Sequence, residues 1–237
     1  MNEAGRIAKT IEAAKAVADE IVVVDSGSTD GTQRIVEALG CRVVFHAWEG
    51  YGPQKRYAED SATFDWLLNL DADEVLTPEA IAEIRSIMML QKPTCDGYRL
   101  RTVNVYPGFN RPRLFADFHN YIRLYNKTIM RFPSSLVHDA IIAPAGSTIG
   151  QLKGVCLHYS VVSLDQLALK LDRYTDLQAK EINKSKLYIL IRIPFEYTFH
   201  FLKNYILRRH ITGGLFGLTF AHIVARSKHE RLIKLLR

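Results

Sequence analysis

Three carboxylates crowd the end of one apolar run in this chain: Asp71, Asp73 and Glu74 close the segment Asp65-Trp66-Leu67-Leu68-Asn69-Leu70-Asp71-Ala72-Asp73-Glu74. Acids this close repel one another, so something positive is expected between them. A hard divalent cation with oxygen ligands fits, and Mg²⁺ or Mn²⁺ commonly holds substrate phosphates as well. A second polar cluster, Asp25-Ser26-Gly27-Ser28-Thr29-Asp30-Gly31-Thr32, also follows an apolar run. Its glycines let a ligand approach the backbone, and Asp25 can accept hydrogen bonds from a base or a ribose. It is neither the G-x-G-x-x-G dinucleotide fingerprint nor a Walker loop, which needs a lysine. Both clusters also admit a plain structural reading. The first can be a polar turn before a helix opening at Thr77-Pro78-Glu79. The second can be a loop whose Ser or Asp caps the next helix.

The elements that must carry these residues are legible in outline. Residues 5–18 read as a helix with Ile7, Ile11 and Ala14 on one face. Ile21 to Val24 is a β-branched run ending at Asp25, read as a buried parallel strand. Gln33 to Leu39 reads as a helix stopped by Gly40, and Arg42 to Phe45 as a strand. Gly50 to Pro53 reads as a turn-rich loop with a helix after it to about Ala62. Trp66 to Leu70 reads as a buried strand, and residues 78–91 as a helix. The alternation predicts a parallel sheet wound with helices, and ligands bind outside the carboxyl ends of such strands. After residue 95 the pattern changes. Residues 97–101 and 121–125 alternate as half-exposed strands, Val155 to Tyr159 is another short strand, and helices run from about Leu164 to the end.

Together the Asp25–Thr32 loop and the Asp65–Glu74 segment resemble family 2 glycosyltransferases with the GT-A fold. Gly52-Pro53-Gln54-Lys55-Arg56-Tyr57-Ala58, Val137-His138-Asp139, Leu157-His158-Tyr159-Ser160 and the Gly213-Gly214-Leu215-Phe216-Gly217-Leu218 tail are similar to the subfamily containing lipopolysaccharide core β-1,4-glucosyltransferases. The resemblance implies an α/β fold, the GT-A nucleotide-diphospho-sugar transferase fold with a Rossmann-like mixed sheet. It implies a catalytic domain over residues 1–160 and a helical, basic, membrane-associated region over 161–237. It further implies that Asp25, Ser26 and Lys55 bind the nucleotide sugar, that Asp71 binds ribose or metal, and that Asp73 and His158 ligate Mg²⁺ or Mn²⁺. Asp139 is the implied general base. Arg111, Arg113 and Arg123 are candidate phosphate or acceptor contacts. Without the family, His158 reads as a half-buried strand histidine and Asp139 as a loop acid.

The resemblance departs in two places. Family members open with an apolar strand followed by Asn-Glu, whereas this chain starts at Met1-Asn2-Glu3, so the first strand is expected to be missing. Two strand edges inside the sheet would then lack partners, at roughly 1–3 kcal/mol per buried unsatisfied group. Relatives also carry Val-His-Glu where this chain has Val137-His138-Asp139, and Asp is one methylene shorter. The implied reaction is inverting transfer of a hexose from a UDP-sugar, UDP-glucose in the nearest subfamily, to a lipid-linked glycan acceptor. A polyprenyl-linked precursor is the rival acceptor, and a truncated, inactive membrane-surface remnant is the rival of another class.

Composition sets the compartment. The chain has 237 residues, 48% of them hydrophobic and 24% charged, as in ordinary globular proteins. Cys41, Cys95 and Cys156 show no metal-ligand spacing, and their odd number without a signal peptide predicts a reducing compartment. No run of 18 apolar residues is present, so no conventional membrane-spanning helix is expected. The net charge of +6 is uneven: residues 166–237 hold 14 Lys/Arg against 5 Asp/Glu. A basic tail rich in aromatic and aliphatic residues predicts an anionic membrane surface as its partner rather than nucleic acid. The expected location is the cytoplasmic face of a bacterial inner membrane.

Overall fold

The computed structural model describes residues 1–90, 92–135, 140–181 and 185–236. They form two compact units. One comprises Met1–Val103 and Phe118–His158, the other Asn104–Asp117 and Tyr159–Arg237.

The first unit opens with α1 (Ile7–Ala14), whose Ile7, Ile11, Thr10 and Ala14 are buried at helical spacing. β1 (Val22–Asp25), α2 (Thr32–Ala38) and β2 (Arg42–Phe45) follow. β1 and β2 pair in parallel, from Val22 opposite Arg42 to Asp25 opposite Phe45. Ile7, Ile11 and Val36 form a small core, with Val23, Val43 and Ala72 packed around it. The chain then continues through α3 (Tyr51–Ser61), β3 (Trp66–Leu68), β4 (Glu74–Leu76), α4 (Pro78–Met88), β5 (Gly97–Asn104), β6 (Phe118–Asn126) and β7 (Ile149–His158). These last five strands make a second sheet in the order β3-β6-β5-β7-β4.

The sheet corrects one expectation. β1 and β2 are parallel as expected, but β3–β6, β5–β6 and β4–β7 are all antiparallel. The apolar Trp66-Leu67-Leu68 run reads as a parallel strand, yet it is only half-buried and takes its partner from β6, far along the chain. β1 has only β2 beside it, and β3 only β6, so each leaves one edge unpaired among the described residues. The fold is nonetheless the mixed α/β architecture expected.

A second correction is local. Residues 51–53, expected as loop, form the first turn of α3. Gly50 at φ +119° turns the chain into the helix, and Pro53 needs no N–H partner in a first turn. Gly52 lies against Pro133 and Ser135, whose carbonyl oxygens a Cβ would strike, and its N–H donates to Ser135 O at 2.8 Å. α4 opens as expected, with Thr77 Oγ1 accepting from Ala80 N–H at 3.4 Å. It packs on the sheet through Leu76, Ala80, Ile84, Leu100, Leu152 and Cys156.

The second unit contains α5 (Leu164–Glu181), α6 (Lys186–Leu202) and α7 (Gly214–Lys234). A π-helical turn at Lys203–Leu207 and a 3₁₀ turn at His210–Gly213 join α6 to α7. α7 buries Ala221, Ala225, Ser227 and Leu232 and packs with α5 and α6. No described helix is long and apolar enough to cross a membrane.

Candidate active site

β1 delivers Asp25 to its carboxyl end, where the side chain is buried. Its carboxylate accepts from Gly27 N–H at 2.9 Å, Ser28 N–H at 2.7 Å, the Ser28 hydroxyl and Gln33 Nε2 at 2.6 Å. Burial alone would push the carboxyl up. The Ser28 hydroxyl, the Gln33 amide and the backbone donors outweigh it and hold the pKa at about 2. Gly27 and Gly31, at φ +96° and +90°, supply the left-handed turns that aim these donors inward. Ser26 is half-buried beside them. Residues 2–4 lie along the same loop: Asn2 N–H donates to Ser28 Oγ at 2.8 Å, Glu3 N–H to Thr32 Oγ1 at 2.8 Å, and Ala4 N–H to Asp30 at 2.9 Å.

The acids after β3 form a second constellation. Asn69 and Asp71 stand two residues apart on the extended chain, so they point the same way. Lys55, from α3, donates to both: to Asn69 Oδ1 at 2.9 Å and to Asp71 Oδ1. Arg123, from β6, donates to Asn69 Oδ1 at 3.0 Å and reaches Asp71 Oδ2 at 3.4 Å. Its strongest partner is Glu74, at 2.5 Å. Burial raises the Asp71 carboxyl, but Lys55 and Arg123 overcome this and hold it well below the usual carboxylate range. Glu74 is 1% exposed. Burial and the neighbouring Asp71 push it up against the pull of Arg123, while its other oxygen accepts Asp71 N–H at 2.9 Å.

Asp73 looks elsewhere. Its Oδ2 lies 3.4 Å from His158 Nε2, at the end of β7, and 3.4 Å from Arg6 Nη1. Burial raises its pKa, and His158 and Arg6 more than compensate. Arg6 also pairs with Glu3 at 2.5 Å. The segment 2–6 therefore ties the Asp25 loop to Asp73. β4 and β7 place Glu74 opposite His158 in the ladder, which fixes the histidine beside the acids.

The charge argument for a metal needs correcting. Lys55, Arg123 and Arg6 already lie against the three acids, so their mutual repulsion does not by itself call for a further cation. Among the described residues no group of three or more His, Cys, Asp and Glu converges on one point. Asp73 and His158 still fit a cation as a pair of donors. Their 3.4 Å separation lies between the about 2.9 Å of adjacent and about 4.1 Å of opposite ligands in an octahedral shell with bonds of about 2.0–2.1 Å, and Mg²⁺ typically completes such a shell with substrate phosphates and water. His158 Nδ1 is buried and has no hydrogen-bond partner among the described residues.

The structure thus brings Lys55 and Asp71 together, and Asp73 with His158. Asp139 lies outside the described residues. Arg123 and Arg113 are not free contacts for a substrate. Arg123 is an internal partner of Glu74, and Arg113 is taken up by Asp117 and by the carbonyls of Phe115, Arg208 and Arg209. Sequence reasoning misses Arg6 and Asn69. Strand alternation with Asp71 is a signal for Asn69; nothing local marks Arg6.

A family model described as glycosyl transferase family 2 matches residues 1–146. An uncharacterized glycosyltransferase of Rickettsia bellii (strain RML369-C) is 37% identical, over 99% of this chain and 83% of its own length. The lipopolysaccharide core biosynthesis glycosyltransferase LpsC of Rhizobium meliloti (strain 1021) is 29% identical, over 98% of this chain and 90% of its own. Among solved structures, S. aureus TarS 1–349 aligns with a TM-score of 0.48 at 14% identity, over 99% of this chain and 87% of that one.

Proposed function

The chain belongs to glycosyltransferase family 2, and we propose that it moves a hexose from a UDP-sugar, UDP-glucose in the first instance, to a lipid-linked glycan acceptor. The similarity to LpsC favours the lipopolysaccharide core, or another cell-envelope glycan, as the product. The observation that carries this reading is the pairing at the end of β3: Asp71 and Asn69 held by Lys55 beside an Asp73 that faces His158.

Each residue then has a task. Asp25 accepts a base N–H on Oδ2, the oxygen that among the described residues bonds only the Ser28 hydroxyl, while Oδ1 takes the loop donors. Ser26 follows it on the same loop. Asp71 receives the ribose, and Lys55 offers its ammonium to the nucleotide. Asp73 and His158 hold Mg²⁺ or Mn²⁺. The cation, when bound, neutralises the diphosphate leaving group as a Lewis acid. Asp139 takes the proton from the acceptor hydroxyl as that oxygen attacks the anomeric carbon, the bond to the diphosphate breaks on the opposite face, and the anomer inverts. General-base help of this kind is worth ~10²–10⁴-fold. Catalysis belongs to residues 1–160, and residues 161–237 hold the enzyme at the cytoplasmic membrane surface where such an acceptor resides.

Calorimetry with UDP, with Mn²⁺ and then with EDTA, tests the donor site. Binding that EDTA abolishes, and that Asp73→Asn weakens, is the expected result. Equal affinity under both conditions would remove the metal from the mechanism, and no UDP binding at all would remove the donor.

A further inference from the structure

α6 is inverted for a helix in water. A surface helix ordinarily buries its apolar stripe and shows its polar one. The buried side of α6 carries Ile189 and a charged residue, Glu196, only 2% exposed, with Arg192 at 2.5 Å, His200 at 3.4 Å and Arg231 of α7 at 3.5 Å. Its outward side is apolar. Leu187, Ile191, Phe195, Phe199, Leu202 and Ile206 recur every three or four residues along the helix and its π-helical continuation, each between 46% and 70% exposed. Exposed apolar surface organised in this way marks an interaction site.

The segment between β5 and β6 adds a second, independent observation. Phe115 has φ +55° and Arg209 φ +57°, a left-handed conformation that bulky residues rarely adopt. Arg113 holds both. Its guanidinium donates to Phe115 O at 2.8 Å, Arg209 O at 2.9 Å and Arg208 O at 2.8 Å, and pairs with Asp117 at 3.0 Å. Thr212 Oγ1 donates to Leu114 O at 2.6 Å. Tyr106 OH meets His210 Nδ1, and His210 Nε2 lies 3.4 Å from Asp117. Gly213 and Gly217 admit the Tyr106 ring and the His210 carbonyl, which a Cβ would strike. Backbone strain persists only where its surroundings over-determine it. Here the result is a Phe115 ring held 62% exposed, beside an exposed Leu114, against the turn that leaves α6.

Charge identifies the occupant. Lys186 stands exposed at one end of the stripe, and Arg208 and Arg209 at the other. Lys203 sits 5.9 Å from the Phe199 ring, and Arg209 4.6 Å from the Phe115 ring. Long cations with stems along apolar surface and heads at its edge suit a boundary between hydrocarbon and phosphate. A second copy of this chain would set those same cations against themselves.

We propose that this face docks on an anionic bilayer, with α6 lying in the interfacial plane and the Leu114–Phe115 tip inserted beside it. The inference rests on the lipid-linked acceptor for its purpose and gives the second unit a defined attitude on the membrane. α7, with its buried small residues, is the support behind the face rather than part of it.

Full-length protein is sedimented with phosphatidylglycerol-containing vesicles and with pure phosphatidylcholine vesicles, beside Ile191→Asp/Phe195→Asp and Leu114→Asp/Phe115→Asp. The wild type should favour the anionic vesicles, and each pair of changes should weaken binding at least about tenfold. Phe195→Trp and Phe115→Trp should both gain fluorescence quenching by brominated lipids. No vesicle binding by the wild type, or wild-type binding by the Leu114/Phe115 variant, overturns the proposal. So does a dimer in sedimentation velocity that the α6 variant splits while vesicles bind neither form. UDP calorimetry on the same variants should be unchanged. Vesicle binding without UDP binding would leave the docking face standing and the donor reading fallen.

Discussion

Arg123→Met should cost about 3–5 kcal/mol of stability, the usual result of stranding a buried charge. The size follows from which partner water can rescue. Arg123 touches Asn69, Asp71 and Glu74. The Asp71 side chain is 37% exposed and keeps Lys55, so it stays solvated and paired. Glu74 is 1% exposed, and its Oε1 has Arg123 at 2.5 Å; only Oε2 retains the Asp71 amide. The penalty therefore falls on one carboxylate that neither water nor Lys55 can serve as Arg123 does. Total stabilities of about 5–15 kcal/mol are typical, so the loss is a large fraction of the whole. Urea denaturation followed by circular dichroism and Trp66 fluorescence measures it. Arg123→Met/Glu74→Met, which removes both charges and leaves apolar volume, should recover most of the loss. A single variant costing under about 1 kcal/mol, or a double variant no better than the single, would refute the claim that Arg123 exists to neutralise Glu74.

Three further outcomes are expected. Asp139→Asn should keep UDP affinity within a few-fold while turnover with UDP-glucose falls by on the order of 10²-fold or more; unchanged turnover in a steady-state transfer assay would move the base elsewhere. Asp25 ordinarily titrates near 3.8 and is held at about 2 in the fold. The native state then binds fewer protons than the unfolded one between those values. This contribution is complete above about pH 4 and is lost as pH falls towards 2, by up to about 2 kcal/mol. Urea midpoints across that range should show a shallower acid decline in Asp25→Asn. Gly52→Ala should destabilise by about 1–3 kcal/mol, because its Cβ meets the Pro133 and Ser135 carbonyls, and calorimetry should show weaker UDP binding as α3 shifts Lys55.

What the sequence showed of this fold was what neighbouring residues decide. β1 is a β-branched run with a polar loop after it, and α4 has Thr77 and Pro78 to start it; both appear where expected. β4 did not announce itself. Glu74 looks like a third site acid, and only Arg123, from a distant strand, makes it a strand residue that can be buried. The same distance hid the antiparallel pairing of β3, since Trp66-Leu67-Leu68 fits a parallel strand equally well until β6 is placed beside it. At the candidate site, the acid run itself drew attention to Asp71 and Asp73 and the family resemblance to Lys55 and His158, whereas Arg6 joins Asp73 only through the packing of α1. In α6 the aromatic and aliphatic content was visible, but content alone does not say which side looks outward; Glu196 does, because its partner Arg231 comes from α7.

That partnership also sets an order in time. During synthesis α6 leaves the ribosome with Arg192, four residues before Glu196, as the cation at hand. Arg231, and Lys234 with its bonds to Asp172 and Asp176 at 2.5 and 2.6 Å, arrive only with the last turns of α7. The nascent second unit therefore spends the intervening seconds, at about 5–20 residues per second, with an apolar stripe exposed and its closing cations not yet in place.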